Sequence, residues 1–213
     1  MMYHEFLNFN PIDKNNLINL VRNINQIIET NDSTAASADH WSLCDDKNGE
    51  FVTFIDYDTF SKDMNLPMKL SMSDIYTQLP EIKNVFKKYN LYNYIGKVKK
   101  GNWGVHKHTY SPDTQWNLCF IDNVPKDTYI QFHKKTNDDE RPPSMDYMYD
   151  HLGDSENTLI EKIRVKSGDI LALNVWQWHS FVVPQGLNTD VYFFYMKNIL
   201  SYEDIKNFKD IKI

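Results

Sequence analysis

The feature that most constrains this chain is a change of texture at about residue 93. Before it, apolar residues recur at helical spacing. After it, they come in short runs rich in aromatic and β-branched residues. Eight such runs fill about 105 residues: 93–100, 103–108, 116–122, 128–133, 159–166, 169–175, 179–184 and 190–197. Turn formers separate them: Gly101-Asn102, Ser111-Pro112-Asp113, Pro125-Lys126-Asp127, Ser167-Gly168-Asp169 and Pro184-Gln185-Gly186. Runs this short and this β-rich read as strands, and the turn residues stop each one. Many short strands in close succession bury their apolar faces against one another as a sandwich or jelly roll. One segment breaks the series. Residues 134–158 are long, charged and Pro-containing, and read as an inserted lid over one rim.

The helical part precedes the strands. Over 12–30, Leu17, Ile18, Leu20, Val21, Ile24, Ile27 and Ile28 form one apolar stripe. A second helical stretch covers 72–90, with Ser73 as a cap and Ile75, Leu79, Ile82 and Val85 on its apolar side. Pro80 should break or restart it. Residues 31–50 read as loop and Phe51–Asp56 as a strand. Ser201 with Asp204 opens a short helix over 201–211 in the manner of a capping box. A chain of 213 residues suits a single domain. Its parts are a helical and mixed segment (1–92), a β core (93–198) and a helical tail (199–213). The expected class is mainly β with flanking helices, an α+β chain around a jelly roll.

Composition narrows the function. Hydrophobic residues make up 41% and charged residues 24%, which fits a globular chain and excludes wholesale disorder. The net charge of −6 disfavours a nucleic-acid coat, which needs a basic surface. No apolar stretch approaches the ~18 residues of a membrane span. The N-terminus lacks the basic start and apolar run of a signal peptide. Cys44 and Cys119 form no CxxC pair and are too few for a disulfide framework. Reduced thiols in the cytoplasm are the expectation, with neither nucleic acid nor membrane as partner.

The chemistry concentrates in His106-Lys107-His108. On a strand, residues i and i+2 share a face, so both imidazoles can point into one cavity. His179 starts another strand after the apolar run GDILALNVWQWH. A jelly roll brings distant strands together, so the three imidazoles can converge on one metal. Such a set suits Fe(II), and also Zn, Mn, Ni or Cu. Asp113, in the turn that follows, is a possible fourth ligand. HxH alone is a weak signal, and His179 also has an ordinary reading as a half-buried, hydrogen-bonded side chain. The remaining histidines, His4, His40, His133 and His151, have no such pairing and read as background. Trp103, Trp116 and Trp176 flank the candidate ligands as core residues or as a pocket wall. Asn117 and Asn174 lie on inner strands. Each can bond a ligand carboxylate or an imidazole N–H, or simply satisfy backbone.

Two stretches resemble the aspartyl/asparaginyl β-hydroxylase branch of the Fe(II)/2-oxoglutarate dioxygenases. One runs from Leu79 to Phe132 and contains GNWGVHKHTYSPD; the other is GDILALNVWQWHSFVVPQGLNTDVYFFYMKN, Gly168 to Asn198. Together they cover about half the chain. The resemblance implies a cupin-like double-stranded β-helix with iron at its mouth, ligated by His106 and His179. His108 stands where that family has a carboxylate, so the triad becomes three histidines, as in cupin-type dioxygenases. The same two stretches also resemble the two cupin motifs. The family binds the 2-oxoglutarate carboxylate with an Arg about ten residues past the distal His. Here that region reads Asn188-Thr189-Asp190. A cation from elsewhere must then serve. Arg164 ranks first and Lys197 second, with Arg141 and Lys107 behind them.

The expected function is a non-haem Fe(II) oxygenase resembling 2-oxoglutarate-dependent hydroxylases, acting on a small molecule or a protein side chain. One alternative is a cupin-type metal dioxygenase or isomerase that needs no 2-oxoglutarate. Another is a non-catalytic β-sandwich with a binding or structural role.

Overall fold

The computed structural model describes residues 2–9, 11–32, 40–44, 51–55, 70, 72–92, 94–100, 103–108, 115–136, 149–153, 156–184, 187–197, 199 and 201–209. Helix α1 (Pro11–Asn31) follows a short strand β1 (His4–Phe6). Pro11 sits at the first helical position, where its missing N–H costs nothing. Strands β2 (His40–Cys44) and β3 (Phe51–Ile55) form a hairpin pair. Helices α2 (Met72–Gln78) and α3 (Glu81–Lys88) are split by Pro80, which caps α3 with helical φ and ψ of −62° and −23°. The proline thus restarts the helix, as expected.

The β core then runs through β4 (Tyr94–Lys100), β5 (Trp103–His108), β6 (Trp116–Asn123), β7 (Thr128–Lys135), β8 (Tyr149–His151), β9 (Asn157–Val165), β10 (Ile170–Asn174), β11 (His179–Val182) and β12 (Asn188–Tyr195). Helix α4 (Tyr202–Lys209) closes the described chain. Its start is a capping box. Asp204 N–H donates to Ser201 Oγ (3.2 Å), and Ser201 N–H donates to Asp204 Oδ2 (2.8 Å).

Two antiparallel sheets carry these strands, in the orders β1-β10-β6-β12-β4-β2-β3 and β8-β5-β11-β7-β9. Leaving out the added edge strands, the first sheet is β10-β6-β12-β4 and the second β5-β11-β7-β9. The chain steps from one sheet to the other at almost every connection. That winding is a double-stranded β-helix, the cupin-like jelly roll. The fold is mainly β with flanking helices.

Strand alternation builds two cores from one sheet. On β6, Trp116, Leu118 and Phe120 face the helices, joined by Tyr192 and Phe194 of β12, and pack against Val21, Ile24, Ile28, Ile82 and Phe86. The alternate residues, Cys119 and Ile121 of β6 with Val191 and Phe193 of β12, face the barrel interior with Ile130, Phe132, Leu173 and Phe181. Both faces of these strands are covered, so their apolar residues run on without a polar alternation.

Three elements depart from the sequence reading. The expected loop 31–50 contains β2, whose Trp41 is fully buried against the helix layer. Its polar flanks hid a strand that pairs on both sides, with β3 and with β4. Strands β1 and β8 were not expected either. Three residues carry too little periodicity to read, and pairing with β10 and β5 holds them. The inserted segment 134–158 is not simply a lid. Its ends belong to β7 and β9, and 149–151 form β8 on the edge of β5. Its residues 137–148 and 154–155 lie outside the described residues, and so do Arg141 and Asp113.

Candidate metal centre

His106 and His108 point to one face of β5, as alternation requires. Antiparallel pairing places His179 of β11 directly opposite His106. All three side chains are buried, and one nitrogen from each lies within 4.8 Å of the other two. The ring centroids of His106 and His179 are 4.3 Å apart. His108 lies 5.4 Å from His106 and 5.3 Å from His179.

Hydrogen bonds orient each ring. His106 Nδ1–H donates to the Gly104 carbonyl at 2.8 Å, and His179 Nδ1–H donates to the Gln177 carbonyl at 2.8 Å. A carbonyl only accepts, so Nδ1 carries the proton in both rings and the lone pair sits on Nε2. His108 Nδ1 is held by the Tyr195 hydroxyl, 2.8 Å away. Each imidazole therefore has an outer partner on Nδ1, the arrangement that metal-binding histidines use. Burial pushes the His179 imidazole down to about 4; its bond to Gln177 opposes this weakly and the nearby His133 adds to it. The ring is neutral at neutral pH, as a ligand must be. The donor set, three imidazole nitrogens in a buried pocket, fits a divalent first-row metal.

Behind the imidazoles lies the barrel interior. Its cavity is lined by Val98, Ile121, Ile130, Phe181, Val191 and Phe193, with Asn117, Cys119 and Ser180 as its polar members. The space open to small molecules is about 40 Å³, enough for two or three waters. Burial raises the Cys119 thiol to about 12, so it stays protonated and is no thiolate ligand. No Asp, Glu, Lys or Arg lines this cavity among the described residues.

The other sequence candidates are dispersed. Asn117 lines the cavity, and its buried Oδ1 has no hydrogen-bond partner. Asn174 instead holds a turn, its Oδ1 accepting from the Trp176 N–H at 3.2 Å. Trp116 is not a pocket wall: alternation along β6 sends it to the helix face with Leu118 and Phe120. Trp176 packs at the border of the interior cluster but does not line the cavity. The Trp103 side chain lies outside the described residues. Arg164 does not reach the cavity, because it projects from β9 half-exposed and pairs with Asp127 at 3.3 Å. Lys197 sits over the Tyr92 ring and Lys107 over the Trp178 ring. Asp190 turns away from the cavity toward Lys97 Nζ, 2.7 Å away, so it does not oppose a bound anion.

Sequence reasoning missed His133 and Ser180. His133 Nε2 is 3.0 Å from Ser180 Oγ, and its Nδ1 is 2.8 Å from Asn157 Oδ1. Ser180 follows His179 directly, and that adjacency was the available signal. His133 has no neighbour in sequence to mark it.

No family model matches the chain, and no curated protein does. Solved structures of similar shape include YcfD, a ribosomal oxygenase from Escherichia coli in complex with cobalt and 2-oxoglutarate. It is 12% identical, with 82% of this chain and 44% of that one covered and a TM-score of 0.34. An oxidoreductase of the 2OG-Fe(II) oxygenase family from Burkholderia pseudomallei is 12% identical, covering 74% of this chain and 68% of that one, TM-score 0.34. Vicilin from Corylus avellana is 10% identical, covering 48% and 22%, TM-score 0.29. The chain spans about a fifth of the vicilin and about half of YcfD.

Proposed function

We propose that this protein is a non-haem, iron(II)-dependent oxygenase whose metal is held by His106, His108 and His179. The observation that carries the reading is the convergence of three buried imidazoles on one cavity lined mainly by apolar side chains. Nδ1 hydrogen bonds to Gly104, Tyr195 and Gln177 keep the rings turned inward. Val98, Ile121, Ile130, Phe181, Val191 and Phe193 exclude bulk water from the reacting space. Iron(II) bound there would supply a centre for dioxygen activation, which amino-acid side chains alone do not provide.

Among the described residues no cation lines the cavity, which favours an enzyme that binds its organic substrate at the imidazoles without 2-oxoglutarate, the cupin-type alternative. A dicarboxylate in this cavity would leave one carboxylate without a partner, which costs several kcal/mol. Hydroxylation with 2-oxoglutarate, of the aspartyl/asparaginyl β-hydroxylase type, is the second reading. It follows the resemblance of the two sequence stretches, and it requires a cation to reach the cavity.

Anaerobic calorimetric titration of 2-oxoglutarate into iron(II)-loaded protein separates the two. Binding weaker than millimolar supports the first reading; micromolar binding supports the second. Elemental analysis tests what they share. Equal metal in the native protein and in a variant with all three histidines replaced by alanine would refute both.

A further inference from the structure

A second concave site lies at the far end of the barrel from the imidazoles. Along β10, Asn174 pairs with Trp116, and the next carbonyl, that of Val175, accepts from the His108 N–H at 2.8 Å. Ile170, at the other end of β10, pairs with Phe120. Four residues of strand, about 13 Å, separate the two ends. At the Ile170 end lies an open groove of about 980 Å³, lined by the turn after β6, the turn before β10 and the first turn of α1. Its floor is braced. Val124 N–H donates to Ser167 Oγ at 3.1 Å, and Gly168 N–H donates to the Ile121 carbonyl at 2.6 Å, so the second turn is held against the first and against β6. Gly168 has a φ of +88°, which a side chain would strain. It also lets a cation approach: Lys14 Nζ stands 3.4 Å from the place a Cβ would take.

The charge of this groove runs against that of the chain. Among the described residues its lining holds four cations, Lys14, Lys126, Arg164 and Lys166, and one carboxylate, Asp169. Asp127, which pairs with Arg164 at 3.3 Å, adds a second carboxylate. Four cations less two carboxylates leaves +2, on a chain whose net charge is −6. Asp169 is occupied by its own turn, its Oδ2 accepting from the Lys166 N–H at 2.9 Å. Among the described residues, Lys14, Lys126 and Lys166 make no ion pair. Lys14 is the fourth residue of α1, where the positive end of the helix dipole disfavours a cation. Folding alone gains nothing from a lysine there, and an anion in the groove offsets the cost. The lining also has an apolar part, with Phe6 37% exposed beside Leu7, Val124 and Pro125. A ring exposed next to cations suits a ligand that carries a flat group next to its charge.

We infer that this groove binds a small organic polyphosphate of nucleotide size, with its phosphates at Lys14, Lys126 and Lys166 and its flat apolar group on Phe6. Ammonium groups pair with phosphate oxygens as point charges, and the groove is large enough for a ligand of that size. The site is separate from the three imidazoles and does not depend on the metal reading above.

Calorimetry on the full chain, with no metal added, measures the binding of ADP, inorganic pyrophosphate and adenosine. ADP should bind more tightly than either fragment, and about 0.3 M salt should weaken it several-fold. Equal affinity for ADP and adenosine, or no ADP binding at millimolar concentration, overturns the inference. Lys14→Gln with Lys166→Gln alters one half-buried and one exposed side chain and should weaken ADP at least about tenfold. Unchanged affinity in that variant overturns the inference as well. Phe6→Thr should weaken ADP and leave pyrophosphate as it was; a loss for both probes, or for neither, overturns the ligand class. Amide NMR of the native protein gives a reading that no substitution disturbs. ADP should shift the signals of Lys126, Ser167 and Gly168 and leave those of His106 and His179 in place; shifts at the two histidines instead overturn the inference. A single-stranded oligonucleotide that binds about a hundredfold more tightly than ADP, with a steeper salt dependence, would assign the groove to nucleic acid and overturn it too.

Discussion

At the scale of single residues, the proposed metal centre depends on how each imidazole is held. Tyr195→Phe removes the hydroxyl that holds His108 Nδ1 at 2.8 Å and leaves the ring in place. Loss of such an outer partner should weaken metal binding about 10- to 100-fold, measured by chelator competition. Unchanged affinity would mean that packing alone orients His108. His179→Ala removes one of the three proposed ligands, and stoichiometric metal should disappear from the purified protein. The residue scale is also where sequence reading did best. HxH on a strand has one geometry, and alternation alone puts both rings on one face. It did worst with Trp116, because one step of register decides which of two cores a side chain enters.

At the scale of elements, α1 is fastened to the outer face of the first sheet by charge as well as by apolar packing. Lys97 of β4 is almost fully buried, with Nζ 2.6 Å from Asn25 Oδ1 of α1 and 2.7 Å from Asp190 of β12. Arg22 of α1 makes two bonds to Asp122 of β6. Lys97→Met removes the buried cation that pairs with Asp190 and Glu29, so it should destabilise more than Lys97→Met with Asp190→Leu, despite the second change. Chemical denaturation of the native protein, both single variants (Lys97→Met and Asp190→Leu) and the double variant decides this, and additive losses would argue against coupling. Ile24, fully buried between α1 and the sheet, reports on the apolar share. Ile24→Ala should cost about 3 kcal/mol without altering metal content. The stripe of α1 was plain in the sequence, and so was the break at Pro80. Lys97 was not, since nothing in the local sequence distinguishes it from Lys99 and Lys100 beside it. Strand β2 was hidden for a similar reason: its neighbours on both sides, not its own residues, make it a strand.

At the scale of the whole molecule, buried histidines tie folding to pH. Burial lowers the imidazoles of His179, His133 and His4. The unfolded chain then binds more protons than the native one between the ordinary value of 6.5 and the folded value, about 4 for His179. Stability is therefore full above pH 6.5 and falls as pH drops from there to about 4, with His179 alone contributing on the order of 3 kcal/mol. Denaturation midpoints of metal-free protein at pH 7.5, 5.5 and 4.5 should decline, and less steeply in His179→Ala; a flat profile would contradict the burial. Metal at 100 times its dissociation constant should add about 2.7 kcal/mol, raising the melting temperature about 5–10 °C over chelator-treated protein. By itself the sequence determined that the chain is a strand-rich jelly roll behind a helical segment, and that two imidazoles share a face. Both follow from local periodicity and backbone stereochemistry, which need no partner. Only the tertiary structure decided that His179 lies opposite His106, that Arg164 and Asp190 face away from the cavity, and that His133 reaches Ser180. Those are contacts between strands far apart in the chain, and pairing register, which one residue of slip would reverse, decides them.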